Sequence, residues 1–207
     1  MKVLLLNGSP RANGCTFTAL SEVAKVLEAE GIETEILQSG NRSVRDCIAC
    51  GGCVGKGACV FGDDPVNEWI QKAAAADGFV FGTPVYYAHP TGRVLSLLDR
   101  LFYAGRENFR HKPCAVVVSA RRAGTTASLD VMAKYAGITE MPLVTSTYWN
   151  MVHGSAPDQV FGDEEGIQSM RNVGANMAWL LKCIHAGDEA GISRPRNEKG
   201  KRTNFIR

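Results

Sequence analysis

The fold of this chain is decided by residues 2–16, KVLLLNGSPRANGCT. The apolar run at residues 3–6 predicts a buried parallel strand, and it leads directly into a turn of glycine and hydroxyl residues where a helical pattern begins. Free backbone N–H groups and the helix dipole at such a helix N-terminus favour the binding of an anion. The segment therefore predicts a phosphate site, and the alternative interpretation is an ordinary turn with a polar cap.

The donors in this turn suit the phosphate of a mononucleotide. Ser9 and Thr16 offer hydroxyls, Asn13 offers an amide, and Arg11 offers a guanidinium. The turn lacks the Gly-Lys-Ser/Thr ending of a nucleotide-triphosphate loop and the three glycines of a dinucleotide fingerprint. Several hydroxyls without a lysine suit a monoester phosphate such as that of flavin mononucleotide, FMN.

The composition is that of one globular domain. The 207 residues are 45% hydrophobic and 21% charged, and the net charge of +2 gives no sign of nucleic-acid binding. The charge is uneven, because residues 194–207 carry +5 and residues 1–193 carry −3. We expect a single domain over residues 1–193 and a solvated basic tail over residues 194–207. The basic residues of this tail are Arg194, Arg196, Lys199, Lys201, Arg202 and Arg207.

The apolar runs of the chain are short. None reaches the length of a membrane span, and the N-terminal run is too short for a signal peptide. We therefore expect a soluble, cytoplasmic protein that binds neither a membrane nor a nucleic acid.

Strand and helix patterns alternate along the chain. Strands are predicted at residues 3–6, 33–37, 78–83, 115–119 and 143–148, and helices at residues 19–27, 66–76, 92–101, 126–135 and 166–184. This alternation is typical of a parallel sheet with helices on both faces. We predict an α/β fold with a doubly wound, five-stranded parallel sheet, and we expect ligands beyond the carboxyl ends of its strands.

Two further loops reach the same edge of the predicted sheet. Residues 83–92, TPVYYAHPTG, carry two tyrosines whose flat faces suit a ring system. Residues 119–126, SARRAGTT, carry two arginines beside free backbone amides, which suit the carbonyl groups and the anionic reduced form of a flavin. One such loop alone is more typical of ordinary packing, but three loops at one edge favour a flavin site.

The chain resembles the NADPH-dependent FMN reductase family in four motifs, GSPRANGCT, TPVYYAHPTGRVLSLLDRL, SARRAGTT and YWNMVHG. That family is flavodoxin-like and includes the iron-sulfur flavoproteins, so the resemblance implies a flavodoxin-like fold and FMN as cofactor. It implies phosphate contacts from Ser9, Arg11, Asn13, Gly14, Cys15 and Thr16. It implies ring contacts from Pro84, Val85, Tyr86, Tyr87, Ser119, Ala120, Arg121, Arg122, Ala123 and Gly124. Relatives usually close the open flavin face with another subunit, so a homodimer or homotetramer is expected, with residues 150–166 at the interface.

A group of cysteines is the second strong feature of the sequence. Cys47, Cys50, Cys53 and Cys59 have the spacing C-x2-C-x2-C-x5-C. Three thiolates at this spacing with a nearby fourth can surround a [4Fe–4S] cluster. A metal-free, redox-labile thiol loop and a zinc site are the alternatives. The spacing resembles that of the iron-sulfur flavoproteins, which implies a cluster that passes electrons to FMN, although Val60 stands where bacterial ferredoxins have proline.

The other titratable residues predict no separate catalytic group. His89 and His153 are more typical of structural or solvated histidines, so the chemistry is assigned to the flavin. Three functions remain open. The first is an electron-transfer flavoprotein with FMN and a [4Fe–4S] cluster, supplied by a ferredoxin-like donor. The second is a metal-free NAD(P)H-dependent reductase of FMN, quinones, nitro or azo compounds, and the third is a non-enzymatic flavin- or metal-binding regulator.

Overall fold

The computed structural model of the chain describes residues 1–201 and residue 203. Within these residues the strands are β1 (Lys2–Asn7), β2 (Glu33–Gln38), β3 (Gly78–Tyr86), β4 (His89–Pro90), β5 (Cys114–Ala120) and β6 (Met151–His153). The α-helices of the same residues are α1 (Cys15–Ala29), α2 (Val66–Ala74), α3 (Gly92–Gly105), α4 (Thr125–Ile138) and α5 (Glu164–Glu189).

The strands β2, β1, β3, β5 and β6 form a parallel sheet in that order, and β4 pairs antiparallel with β3. Neighbouring parallel strands need a long crossover, which is why helices separate the strands in the sequence. In register, Leu5 of β1 lies between Ile36 of β2 and Val80 of β3. The predicted doubly wound, flavodoxin-like fold is confirmed, and its direction of winding reverses between β1 and β3.

The sheet separates two hydrophobic cores. Alternate residues of β1 point to opposite faces, so that Leu5 packs with α1 and α5, whereas Leu4 and Leu6 pack with α2 and α3. All three leucines are at most 3% exposed, and each contributes about 1.5–3 kcal/mol through burial. Strand β1 is therefore buried on both faces, which fixes the position of the turn that follows it.

The predicted fifth strand at residues 143–148 is wrong. Leu143 makes an isolated bridge with Cys114, and the edge strand of the sheet is instead β6. Beyond Val144 the chain leaves the sheet, and the Ser146 hydroxyl donates to the Tyr148 carbonyl oxygen at 2.7 Å. Local bonds of this kind compete with strand pairing, which explains why an apolar and aromatic stretch does not continue as a strand.

The chain beyond α5 has no helix or strand over residues 192–201. Arg194 of the predicted tail pairs with Asp188 at 3.1 Å, so this part of the tail contacts the domain. Arg202 and Arg207 lie outside the described residues. In the part of the chain that the structure describes, no helix combines the length and the apolar character that crossing a membrane requires.

Candidate functional site

Three loops meet at the carboxyl edge of the sheet, as the strand order requires. The first follows β1, and the backbone N–H of Gly8 donates to the Gly82 oxygen of β3 at 2.8 Å. A Cβ at Gly8 would lie 2.7 Å from that oxygen, so this close approach requires glycine. The start of α1, after the first loop, is joined to the end of β5 by a 2.7 Å hydrogen bond between the hydroxyls of Thr16 and Ser119. The protein itself therefore holds these loops in place.

The predicted phosphate turn is fixed by its own hydrogen bonds. The buried Asn7 side chain accepts from the backbone N–H of Ser9 at 3.1 Å, and Gln38 donates to the Ser9 carbonyl oxygen at 2.8 Å. The Ser9 hydroxyl accepts from the backbone N–H of Arg11 at 3.1 Å. Asn7 and Gln38 are not among the residues predicted from the sequence. Their signal is positional, because they end neighbouring strands and pair in register.

Helix α1 begins directly after this turn. Gly14 is its N-cap, and in the described structure no side chain caps the helix and no acidic residue lies in its first turn. Arg11 and Asn13 are exposed on the turn, whereas Gly14 is buried. The N–H groups at this end and the positive end of the helix dipole provide the chemistry that a phosphate requires.

Two predicted residues of α1 have partners of their own. The Thr16 hydroxyl is hydrogen-bonded to Ser119 at 2.7 Å, and the backbone N–H of Thr16, in the first turn of α1, can face a phosphate. The Cys15 thiol donates to the Gly154 oxygen at 3.5 Å, and burial raises the pKa of this thiol. A raised pKa makes a thiol a weak nucleophile at neutral pH. Cys15 is thus suited to binding through its backbone rather than to chemistry through its sulfur.

The β3–β4 hairpin carries the two predicted tyrosines. Tyr87 and Ala88 form its turn with φ angles of 52° and 58°, a left-handed conformation that is rare for non-glycine residues and concentrates at functional sites. Tyr86 is half exposed and Tyr87 is fully exposed. Gly124 packs against this turn with φ 91°, and a Cβ there would lie 2.4 Å from the Ala88 Cα. Glycine at position 124 therefore lets the two ring loops approach each other.

A cleft of about 270 Å³ lies between this hairpin and the loop after β5. Its lining consists of Val85, Tyr87, Ala88, Ala120, Arg121, Arg122 and Ala123, and all of these except Ala88 are predicted ring contacts. Pro84 and Ser119 are register partners close to the ends of β3 and β5. The structure thus brings the two predicted ring loops together. Tyr86 does not line the cleft, although its neighbours Val85 and Tyr87 do.

A larger groove of about 660 Å³ lies elsewhere, between α4 and residues 143–150. None of the predicted flavin contacts lines this groove. Trp149, which does line it, is more than half exposed. The Oδ1 atom of the buried Asn150, which also lines the groove, has no hydrogen-bond partner within the described residues. The flavin contacts predicted from the sequence converge instead at the sheet edge, beside the start of α1 and the two arginines.

The four predicted cysteine ligands line a single cavity. Cys47, Cys50, Cys53 and Cys59 surround a space of about 180 Å³, which is closed on one side by α3. Cys50 is exposed, and the other three are partly buried. The segment turns back on itself through residues in left-handed conformations, which are Ala49, Gly51, Gly55 and Gly57. These turns allow cysteines that are close in sequence to face one cavity.

Side chains of α2 and α3 hold the last cysteine in place. Asn67 accepts from the backbone N–H of Cys59 at 2.7 Å and donates to its carbonyl oxygen at 2.9 Å. Arg100 donates from Nε to the Cys59 sulfur at 3.3 Å. The Cys53 thiol donates to the Tyr103 carbonyl oxygen at 3.7 Å. Asn67 and Arg100 are not among the residues predicted from the sequence.

The two histidines near the sheet edge have local partners. The backbone N–H of His153 donates to the Asp163 carboxylate at 2.7 Å, and its ring Nδ1 lies 3.2 Å from the same oxygen. Asp163 also caps α5 by accepting from Gly166. His89 is exposed, with Nδ1 3.3 Å from the Pro90 oxygen. Both contacts favour the structural interpretation of these histidines.

Sequence comparisons place the chain among flavin reductases. It matches the family described as NADPH-dependent FMN reductase over residues 1–156. It is 31% identical to an iron-sulfur flavoprotein of Methanocaldococcus jannaschii over 89% of this chain and 99% of that protein. It is also 30% identical to an iron-sulfur flavoprotein of Methanosarcina thermophila, over 74% of this chain and 75% of that protein. An NADPH azoreductase of a Bacillus species is 30% identical over 67% of this chain and 70% of that protein.

Structural comparisons support the fold. The crystal structure of RosB with a bound formylriboflavin phosphate intermediate has a TM-score of 0.69 at 17% identity, covering 99% of this chain and 92% of that chain. An archaeal flavodoxin has a TM-score of 0.60 at 12% identity, covering 88% of this chain and 99% of that chain. The fold is flavodoxin-like. The chain belongs to the NADPH-dependent FMN reductase family and is an FMN-dependent oxidoreductase.

Proposed function

We propose that this FMN-dependent oxidoreductase also binds a [4Fe–4S] cluster through Cys47, Cys50, Cys53 and Cys59, and that the cluster delivers electrons to FMN from a ferredoxin-like donor. The observation that carries the proposal is the convergence of all four thiols on one cavity. Relatives that are 31% and 30% identical are named iron-sulfur flavoproteins, which supports the same pairing of cofactors.

The residues of the sheet edge have distinct parts in holding FMN. Bound FMN would supply the redox chemistry. The N–H groups at the start of α1 and the Arg11 guanidinium bind its phosphate, because both place positive charge on the turn. Tyr87 offers a flat face to the ring. Arg121 and Arg122 line the cleft, and their charge stabilises the reduced, anionic form of a flavin.

The cysteine segment, residues 39–65, fits a cluster better than a zinc ion. Tetrahedral zinc requires its sulfur ligands about 2.3 Å from one point. Within residues 1–201 and 203, no three cysteine, histidine, aspartate or glutamate side chains lie close enough together to hold a single metal ion. The thiolates of a [4Fe–4S] cluster bind separate iron atoms, so the sulfurs surround a larger body. Thiols placed around a cavity of about 180 Å³ suit this second arrangement.

A metal-free NAD(P)H-dependent reductase is the second candidate function. The family name and the NADPH azoreductase relative favour it. In this case the four thiols remain free, and NAD(P)H rather than a cluster would supply the electrons for bound FMN. Quinones, nitro compounds, azo compounds or free flavin would then be the acceptors.

A second copy of the chain is the proposed cover for the open side of the flavin. Tyr87 is fully exposed, and Trp149 and Phe161, in or beside residues 150–166, are 59% and 52% exposed. Exposed aromatic side chains of this kind are typical of subunit interfaces. We expect light scattering to find a homodimer or homotetramer with FMN bound, and a monomer at micromolar concentration contradicts this assembly.

Replacing Cys50 with serine tests the proposed electron path. We expect Cys50→Ser to lose most of its iron and its ferredoxin-linked reduction of FMN. FMN itself should stay bound, because its contacts lie on other loops. Cys183→Ser is the matched control, since Cys183 is an exposed cysteine of α5 outside the segment. Full turnover with the ferredoxin-like donor by a metal-free Cys50→Ser protein would show that electrons do not enter through the cysteines. The metal-free reductase would then replace the proposed electron-transfer function.

A further inference from the structure

Arg100 of α3 is a buried charge that the flavin site does not use. Its side chain is 1% exposed, and its guanidinium forms an ion pair with Asp64, whose side chain is 2% exposed. Replacing a buried ion pair with apolar residues of similar volume is often neutral or stabilising. A contribution to stability therefore does not by itself account for this ion pair, and its role has to be inferred from what the guanidinium contacts.

Every hydrogen-bond partner found for Arg100 in the described chain lies on the cysteine segment, residues 39–65. Its NH1 group donates to Asp64 and to the Arg45 carbonyl oxygen at 3.2 Å. Its NH2 group donates to the Phe61 carbonyl oxygen at 3.1 Å. Its Nε donates to the Cys59 sulfur at 3.3 Å. One rigid, planar donor group thus connects the core helix α3 to an irregular segment and directs one N–H at a proposed cluster ligand.

We propose that Arg100 is a positioning residue that sets the reduction potential of the cluster through its hydrogen bond to Cys59, with Asp64 holding the guanidinium in place. This inference rests on the proposed function of the cysteines. Hydrogen bonds to the sulfurs of a cluster are one of the features that determine its potential. Here the donor carries a full positive charge, which makes the bond stronger than one from a backbone amide.

The two members of the pair have opposite effects on the potential. Reduction adds one negative charge to the cluster and its thiolates. The Arg100 donor stabilises that charge and raises the potential, whereas the Asp64 carboxylate partly cancels the guanidinium charge and lowers it. A structural role alone predicts no such difference in sign, because loss of either partner would loosen the segment in the same way.

The test is a redox titration of the anaerobically purified holoprotein, with the cluster followed by electron paramagnetic resonance. We expect Arg100→Lys, which keeps the charge but loses the Nε donor, to lower the potential. The expected size is a roughly tenfold lower ratio of reduced to oxidised cluster at a fixed solution potential, which is about 59 mV for a one-electron couple. We expect Asp64→Asn to raise the potential. Arg45→Lys is the matched control, because it makes the same charge-keeping exchange at an exposed arginine of the same segment, whose guanidinium lies 4.5 Å from the Phe61 ring centre.

Iron, acid-labile sulfide and FMN are measured for each protein. Potentials of Arg100→Lys and Asp64→Asn that equal that of the Arg45→Lys control, with full iron content, overturn the role of Arg100 and leave the cluster intact. Shifts of the same sign in Arg100→Lys and Asp64→Asn overturn it as well. If Arg100→Lys loses its iron, the Asp64→Asn protein decides: an upward shift supports the role and an unchanged potential overturns it. Wild-type protein without acid-labile sulfide overturns the cluster itself and this inference with it.

Discussion

The flavin edge and the cysteine segment of this chain are built in different ways. The flavin edge consists of the ends of β1, β3 and β5, and its loops are joined to one another by backbone and hydroxyl hydrogen bonds. The cysteine segment, residues 39–65, contains no helix or strand and is held by a few side chains of α2 and α3. The first region follows from the topology, whereas the second depends on local spacing and on Asn67 and Arg100.

Because the two regions are built in different ways, we expect substitutions to affect FMN binding and iron binding separately. A substitution at the sheet edge should release FMN and spare the iron, because no predicted flavin contact lies on the cysteine segment. A substitution among the cysteines should release the iron and leave FMN bound. Variants that lose either FMN or iron alone support this independence of the two regions, and variants that lose both contradict it.

The largest effect is expected at the contact between the two ring loops. Gly124→Ala would place a Cβ 2.4 Å from the backbone Cα of Ala88, at a φ of 91°. Left-handed strain and overpacking together should lower the free energy of unfolding by about 2–4 kcal/mol and weaken FMN binding. Urea unfolding and FMN fluorescence measure the two effects, and the iron content of the folded protein should not change.

Gly137→Ala is the matched control for this variant. Gly137 lies in α4 with open space where a Cβ would be, so alanine there should raise the free energy of unfolding by about 0.5–1 kcal/mol. Equal losses at positions 124 and 137 would show that the loop contact has no special part in the fold.

A smaller effect is expected at the phosphate turn. Arg11→Ala should weaken FMN binding by about 1.5–3 kcal/mol, the contribution of a hydrogen bond to a charged group. Riboflavin lacks the phosphate, so its affinity should change little. Calorimetry on both ligands measures the difference, and equal losses for FMN and riboflavin would remove Arg11 from the phosphate site.

The smallest effect is expected at the hydroxyl pair that joins the start of α1 to the end of β5. Ser119→Ala leaves the buried Thr16 hydroxyl without its 2.7 Å partner and should lower the free energy of unfolding by about 1–2 kcal/mol. The double variant Thr16→Val with Ser119→Ala should recover part of this loss. Strictly additive losses in urea unfolding would mean that the two hydroxyls are not coupled.

The flavin edge could be predicted from the sequence because several local signals agree there. The buried run of β1, its glycine turn and the start of α1 are adjacent in sequence, and helices between strands define the parallel order. Strand β6 could not be predicted in the same way. Its three residues are too few to show a period, and the aromatic residues Tyr148 and Trp149 before it make a stronger strand pattern although they are exposed.

The contacts that support both regions are harder to find from sequence. Gln38 acts through its register beside Asn7, which is known once the strands are paired. Arg100 follows Leu97 by three positions, a spacing that places both on one face of α3. That spacing is the available signal, but an arginine in an amphipathic helix is normally exposed. Its burial depends on Asp64, which belongs to a segment without a periodic pattern.

The most direct measurement is the content of iron, acid-labile sulfide and FMN in protein purified without oxygen. Two separate cofactor regions in one chain predict about four iron and about four sulfide for each chain, together with one bound FMN. The visible spectrum should then combine a flavin with a broad cluster absorbance. FMN with zinc, or FMN with neither iron nor sulfide, would contradict a cluster on the four cysteines, and the second of these results would leave the metal-free reductase.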